Sequence, residues 1–183
     1  MVLRRAMIAA ACVLALASSG ALAGCGDEEP GIDEPAREGL ALELDGVEYN
    51  VFITRQLNIA IPPDNAYYAG PPADKDETFY GVFIQACNKT EETQSPTDFF
   101  KVKDNQDDEF RPVTLPEDSP FAYHARELAP DECIPEAGSV AQLGPAAASL
   151  LLFKLPLTTT ENRPLELEIE GEGSEKLTFE LDI

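Results

Sequence analysis

The 183-residue sequence contains no tryptophan, one histidine and two methionines. The scarcity of histidine and of methionine each argues against a class of function. Any Ser-His-Asp or Cys-His mechanism would have to use His124, and nothing around it resembles a nucleophile elbow. Both methionines, Met1 and Met7, lie in the N-terminal leader described below, which leaves too few ligands for a copper site. We therefore predict a protein that is not an enzyme and carries no cofactor.

Basic residues are also scarce, since 13 Lys and Arg stand against 34 Asp and Glu. Arg4 and Arg5 belong to the leader, so 11 basic and 34 acidic residues remain in the mature chain, a formal charge of −23. A surface of this sign repels phosphate backbones. Nucleic acid is therefore excluded as a partner.

The N-terminal segment has the composition of an export signal. Arg4 and Arg5 form a basic start, residues 7–16 form an apolar core, and small residues lead to Cys25. The apolar core is too short for a membrane-spanning helix. We interpret residues 1–24 as a signal peptide, and both the general secretory and the twin-arginine route stay open.

The residues LAGC at 22–25 resemble a bacterial lipobox, in which the cysteine thiol receives a diacylglyceryl group before the chain is cut on its N-terminal side. The alternative is an ordinary secretory leader cut beside Cys25. The lipobox predicts a lipid anchor on the extracytoplasmic face of the bacterial cell membrane, where two acyl chains give stable attachment. Residues 25–39 are acidic and contain Pro and Gly, which predicts a disordered tether.

The remainder, residues 40–183, shows short alternating runs and no sustained helical period. Apolar and polar residues alternate over 165–170 and 177–183 around a turn at 171–174, which predicts a hairpin. The continuous apolar run 149–155 predicts a strand buried on both faces. Further strands are predicted over residues 49–54, 78–86, 98–103 and 109–113. About seven or eight strands without helices predict an all-β, two-sheet β-sandwich.

The order of these segments resembles a known family. GVEYNV (46–51), FYGVFIQACNKTEE (79–92) and DFFKVKDNQDDEFRPV (98–113) precede a Pro-rich crossover and the segment GSVAQLGPAAASLLLFKLPLTTTENRPLELEI (138–169). Together they look like the telokin-like, immunoglobulin-like domain of unknown function found in Gram-positive, especially actinobacterial, lipoproteins. The resemblance implies an immunoglobulin-like sandwich with a binding or envelope role. This sequence differs from antibody domains in lacking the tryptophan that packs on their core disulfide.

Two cysteines remain once Cys12 leaves with the leader and Cys25 is assigned to lipid: Cys87 and Cys133. An even number of remaining cysteines in an extracytoplasmic protein predicts one disulfide. Cys87 ends a predicted strand and Cys133 lies in a Pro-rich loop, so this bond would attach the long crossover to a sheet. A metal site is the alternative, but only His124 could join the two thiols.

Tyr67 and Tyr68 form a candidate binding surface in the Pro-rich loop 60–76. Exposed tyrosines on a stiff loop offer contact area at low entropy cost. In the alternative interpretation they plug the end of the sandwich. On the first interpretation the domain is a binding module for an envelope protein, peptide or polymer.

Asp104, Asp107, Asp108 and Glu109 form a second candidate site, because they place hard oxygen ligands in one turn. If they bind Ca²⁺, they indicate an alternative function, that of a Ca²⁺-binding adhesion or structural envelope module. The turn lacks the residue order of an EF-hand, and a polar hairpin turn is the other interpretation.

The lipobox yields the first testable prediction. Replacing Cys25 with serine should abolish incorporation of an alkyne-tagged fatty acid and shift the protein out of the membrane fraction, because the acyl acceptor is the thiol. Cys12→Ser, which changes a thiol inside the leader, serves as the control and should keep the label. A Cys25→Ser protein that still carries the fatty acid would show that Cys25 is not the acceptor.

Overall fold

The computed structural model describes residues 29–183, so the predicted signal peptide and Cys25 lie outside the described residues. These residues form ten strands and two short 3₁₀ helices, Asp64–Ala66 and Thr159–Glu161. The strands are β1 (Ala36–Arg37), β2 (Ala41–Leu44), β3 (Val47–Leu57), β4 (Glu77–Asn88), β5 (Phe100–Lys103), β6 (Glu109–Phe110), β7 (Cys133–Ile134), β8 (Ser149–Pro156), β9 (Glu166–Glu170) and β10 (Lys176–Glu180). Neither helix in this part of the chain is long and apolar enough to cross a membrane.

The strands form two sheets. Sheet A has the order β1-β10-β9-β5-β6, and sheet B runs β2-β3-β4, with β7 and β8 both paired to the far edge of β4. Neighbouring strands are antiparallel except β1 and β10. The predicted two-sheet sandwich is confirmed. Three strands that the sequence analysis did not predict are β1, β2 and β7, which have only two to four residues each and so show little periodicity.

The main core lies between the sheets and follows from the period of two along each strand. In β4, Tyr80, Val82 and Ile84 point inward, and in β8 Leu151, Phe153 and Leu155 do the same. Sheet A contributes Phe100, Val102, Leu165, Leu167, Ile169, Leu177 and Phe179. Each large side chain buried in this way contributes about 1.5–3 kcal/mol relative to exposure.

A second cluster covers the opposite face of sheet B. Phe79 and Phe83 of β4 and Leu150 and Leu152 of β8 point away from the main core into this cluster. Phe83 pairs with Leu150 in the strand register, so the two strands present their alternate residues to the same side. The prediction that residues 149–155 form a strand buried on both faces is confirmed.

Of the predicted disordered tether over residues 25–39, residues 25–28 lie outside the described residues, and residues 29–39 are ordered on the sandwich, which corrects the prediction there. The Gly31 carbonyl accepts a hydrogen bond from Thr178 N at 2.7 Å, and β1 pairs with β10. Gly31 has φ +86° and lies so close to Leu42 that a Cβ would collide with that side chain. The segment thus closes the gap between the sheets. Its exposed acids make its composition resemble a linker, while Gly31 and Ala36 anchor it.

Glu38, near the end of this segment, ties the two sheets together. One carboxylate oxygen accepts a hydrogen bond from Thr54 N of sheet B at 3.1 Å. The other accepts a hydrogen bond from Asp182 N, beyond the end of β10, at 3.0 Å. A single carboxylate therefore satisfies one backbone donor beside each sheet.

The crossover between β6 and β8 is attached to sheet B by the predicted disulfide. Cys87 of β4 and Cys133 of β7 are directly paired in the register, and their sulfur atoms are 2.07 Å apart. Next to them, the side-chain amide of the fully buried Asn88 donates hydrogen bonds to Leu128 O at 2.9 Å and to Glu92 O at 2.7 Å. The predicted bond is confirmed, and it joins the crossover to a strand of one sheet.

Removing the disulfide should cost much of the stability. The two cysteines are 46 residues apart, so in the chain-entropy model the double variant Cys87→Ser/Cys133→Ser should lose about 4 kcal/mol of unfolding free energy. Urea unfolding monitored by circular dichroism measures the loss. Wild-type protein treated with dithiothreitol is the matched control and should behave like the double variant. A loss below about 1 kcal/mol would contradict this account.

Candidate functional site

The structure places Tyr67 and Tyr68 in the second cluster and contradicts the prediction that they form an exposed binding surface. Tyr67 is only 5% exposed, and its ring makes edge contacts with Phe83 and Phe121 at centroid distances of 5.3 and 4.9 Å. Tyr68 is partly buried against Phe79 at 5.2 Å. The tyrosines are packing residues, but they cover the outer face of sheet B and do not plug the end of the sandwich.

An ion pair holds the loop that carries Tyr67 and Tyr68 on sheet B. The Arg55 guanidinium donates a hydrogen bond to Asp64 at 2.7 Å and lies 5.7 Å from the Tyr67 ring centre. The other Asp64 oxygen accepts a hydrogen bond from Asn58 N at 2.8 Å. Burial alone would raise the pKa of Asp64, but these two bonds outweigh it and hold the pKa below its usual value. The loop is thus a fixed cover for sheet B.

The acidic turn after β5 is organised by Asp104. This residue is 5% exposed, and one of its oxygens accepts hydrogen bonds from Gln106 N at 2.9 Å and Asp108 N at 3.0 Å. Its other oxygen accepts a hydrogen bond from the Asn162 side chain at 3.1 Å. Burial alone would raise the pKa of Asp104, but the three bonds overcome this effect and lower it.

The other carboxylates of this turn face lysines or solvent. Asp107 pairs with Lys103 at 3.2 Å, and Glu109 pairs with Lys101 at 3.1 Å, while Asp108 is exposed. Across residues 29–183, no group of three or more His, Cys, Asp or Glu side chains is arranged to hold a metal ion. The structure therefore contradicts the four-carboxylate Ca²⁺ site and supports the polar hairpin turn.

A surface that the sequence analysis did not select has the form of a binding site. Phe99, directly before β5, is 58% exposed and lies between two cavities that share Phe99 and Asp98 as lining residues. The cavity on the Arg111 side has a volume of about 350 Å³, and the one on the Glu127 side about 440 Å³. Both volumes fall in the range of ligand sites. We call the two cavities together the Phe99 groove.

Tyr49, which is buried, and Tyr123, which is partly buried, fix the backbone that presents Phe99. Thr97 N donates a hydrogen bond to the Tyr49 hydroxyl at 2.8 Å, and the Tyr123 hydroxyl donates one to Thr97 O at 3.0 Å. Glu170 N of β9 donates to Phe99 O at 3.0 Å. Burial raises the pKa of Tyr49 to about 12, because the neutral hydroxyl is favoured away from water. The ring is therefore exposed on a backbone that is already ordered before any ligand binds.

The opposite wall of the groove belongs to the crossover and is equally well held. Gln94 and Leu128 exchange backbone hydrogen bonds of 3.0 and 2.8 Å, which join the segment leading to Phe99 with the segment 125–127. The Leu128 carbonyl also accepts the bond from buried Asn88. His124, the only histidine of the chain, lines the Arg111 side.

The sequence carried one signal for this site. Phe99 and Phe100 are consecutive, and in a strand with a period of two only one of them can point into the core. Phe100 and Val102 are buried, so Phe99 has to point outward. The two cavities beside it arise from the path of the crossover, which no local pattern encodes.

Comparisons with known proteins place the fold but no family. No family model matches this chain, so the telokin-like resemblance has no matching model, and no curated protein matches it either. The yjhA protein of Bacillus subtilis is similar in structure, with a TM-score of 0.53, 13% identity, and coverage of 80% of this chain and 99% of yjhA. This likeness shows the fold alone.

Two further solved structures resemble the chain at 14% identity. The B. subtilis protein ycdA, described as a "putative lipoprotein", has a TM-score of 0.50, with coverage of 78% of this chain and 38% of ycdA. An uncharacterized β-sandwich protein of Clostridium difficile has a TM-score of 0.48, with coverage of 84% of this chain and all of that one.

The Asp104 turn leads to a pH-dependent prediction. Because the folded state lowers the pKa of Asp104, the ionised group stabilises the fold above the unfolded pKa of about 3.9 and loses this effect as the pH falls through the folded pKa. Asp104→Asn should therefore lower the unfolding free energy by about 1–3 kcal/mol at neutral pH. The gap to wild type should shrink as the pH approaches 3.

Urea unfolding at several pH values tests this prediction. Asp108→Asn changes an exposed neighbour and should alter the unfolding free energy by less than about 0.5 kcal/mol. Millimolar Ca²⁺ should leave the unfolding midpoint of the wild type unchanged, since the carboxylates are engaged elsewhere. A clear rise in the unfolding midpoint with Ca²⁺ would support the metal site.

Proposed function

We propose that this chain is a lipid-anchored, extracytoplasmic binding module and that it binds its partner in the Phe99 groove. The observation that carries the proposal is the exposed Phe99 ring between two cavities, on a backbone fixed by Tyr49 and Tyr123. Aromatic residues placed on ordered backbone are the usual anchors of protein interfaces, because little entropy is lost when they are covered.

The anchor is argued from the leader and lipobox at residues 1–25. The description of ycdA as a "putative lipoprotein" agrees with it, as does the resemblance to immunoglobulin-like domains of Gram-positive lipoproteins. Since the chain packs on the sandwich from about residue 30, the link from Cys25 is short. At about 3.5 Å per residue it would keep the domain within about 20 Å of the membrane surface.

The proposal is for recognition and not for catalysis. The Phe99 groove combines an exposed ring, an apolar floor and charged residues around its margin. Within residues 29–183, His124 makes no hydrogen bond to a hydroxyl, thiol or carboxylate that would prepare a nucleophile.

Capture from membranes tests this function. Detergent-solubilised full-length protein should retain an envelope partner, and Phe99→Ala should reduce its recovery at least tenfold, because removing a central aromatic anchor costs about 2 kcal/mol or more. Quantitative mass spectrometry of the captured material gives the recovery.

Leu143→Ala is the matched control, because Leu143 is 74% exposed and lies outside the groove. Its recovery should equal that of the wild type. Equal recovery with Phe99→Ala would remove the groove as the binding site. Both variants should unfold within about 0.5 kcal/mol of the wild type, since each truncates an exposed side chain.

A further inference from the structure

We infer that the partner in the Phe99 groove is an extended protein segment with a basic residue two positions from an apolar one. The inference rests on the proposed function of the groove and adds the chemistry of its ligand. It comes from the unequal charge of the two cavities, which share Asp98 and Phe99 as lining residues.

The Glu127 side is lined by carboxylates. Asp98, Glu127 and Glu172 contribute three of them, and none forms a salt bridge within residues 29–183. Arg126 also lines this side, but its guanidinium donates hydrogen bonds to Glu132 at 3.1 Å and to the Cys133 carbonyl at 3.2 Å. Because Arg126 is already engaged, the three carboxylates are available to a basic side chain of the partner.

The same cavity is bordered by an exposed aromatic ring. A lysine or arginine side chain that enters it meets the carboxylates with its charge and the Phe99 ring with its aliphatic stem or cationic head. Carboxylates and an aromatic face together distinguish such a side chain from a neutral polar one, which gains little from either. This side of the groove therefore fits a basic residue.

The Arg111 side carries less negative charge, since its lining holds one carboxylate, Asp98, beside Arg111. Its floor includes Val113, Ala122 and the β8 residues 150–152, which are apolar and mostly buried. Arg111 stands at its margin, is exposed, and forms no salt bridge to any residue from 29 to 183. An apolar side chain fits the floor, and Arg111 can donate to a main-chain carbonyl of the same segment.

We take the segment to be extended because such a segment presents alternate side chains to the same side, as two cavities flanking one ring require. Side chains two residues apart in such a segment point to the same side and lie about 6.8 Å from each other along the chain. A basic residue, any residue and an apolar residue in succession would therefore place one side chain on each side of Phe99. The intervening side chain would point toward solvent.

The field of the whole protein favours the same kind of partner. The formal charge of the chain is −21, which attracts basic segments and repels anionic polymers. A protein segment with a lysine or arginine is therefore favoured over an anionic polysaccharide or polyphosphate of the envelope.

The test uses full-length, lipid-anchored protein in phosphatidylcholine nanodiscs and three peptides as probes. The first is acetyl-Gly-Ser-Lys-Ser-Leu-Ser-Gly-amide, the second carries Glu in place of Lys, and the third carries Ser in place of Leu. Surface plasmon resonance with peptide as the analyte should show at least tenfold tighter binding of the first peptide than of either other one. Its affinity should fall as the salt concentration rises.

Matched charge variants test the carboxylates. Glu127→Gln/Glu172→Gln should weaken binding of the first peptide at least fivefold, because both changes remove negative charge from the cavity and keep the side-chain size. Glu91→Gln/Glu117→Gln removes the same charge from exposed positions outside the groove and should stay within twofold of the wild type. Equal losses in the two double variants would mean a general field effect and would overturn the inference.

The outcomes separate this inference from the function on which it rests. If Phe99→Ala abolishes partner capture but the Glu peptide binds as well as the Lys peptide, the groove stands and the ligand class is wrong. If Phe99→Ala leaves both capture and peptide binding unchanged, the groove is not the site and both proposals fail. Tighter binding of the Glu peptide would assign the groove to an acidic segment held by Arg111.

Discussion

The fold depends on β4, the strand that is paired along both edges and buried on both faces. β3 pairs with one edge, and β7 and β8 share the other. On one face its side chains enter the main core, and on the other they enter the cluster that Tyr67 closes. Its last residues, Cys87 and Asn88, attach the crossover. A charge or cavity in this strand would therefore disturb both clusters and the wall of the Phe99 groove together.

The outer face of sheet A shows how the excess of acids is accommodated. Glu168, in the centre of this face, is 4% exposed and receives hydrogen bonds or ion pairs from Lys176 at 2.7 Å and Lys101 at 3.1 Å. Burial alone would raise the pKa of Glu168, but the two lysines outweigh this effect and lower it. On this face, acidic side chains form ion pairs with lysines of neighbouring strands. Around Phe99, Glu127 and Glu172 form no salt bridge with any residue from 29 to 183.

The secondary structure was largely predictable, and the candidate site was not. Hairpin β9–β10 and strand β8 follow from the spacing of apolar residues, because a period of two has a direct structural meaning. Tyr67 and the Asp104 turn show the limit of this reasoning. Tyrosine and aspartate serve as readily in packing and turns as in binding, and only their contacts distinguish the roles. The N-terminal segment shows the same limit, since its acids resemble a linker while Gly31 and Ala36 pack on the sheets.

The sequence alone determined the all-β class, the excess of negative charge and the pairing of Cys87 with Cys133, because each rests on composition, local period or a count of residues. The tertiary structure decided which aromatic residue is exposed. Phe99 and the walls of its groove come from several separate segments of the chain, joined by the Gln94–Leu128 hydrogen bonds and the tyrosine bonds to Thr97. Contacts between distant segments depend on the path of the crossover, and that path is set by burial and pairing across the whole sandwich.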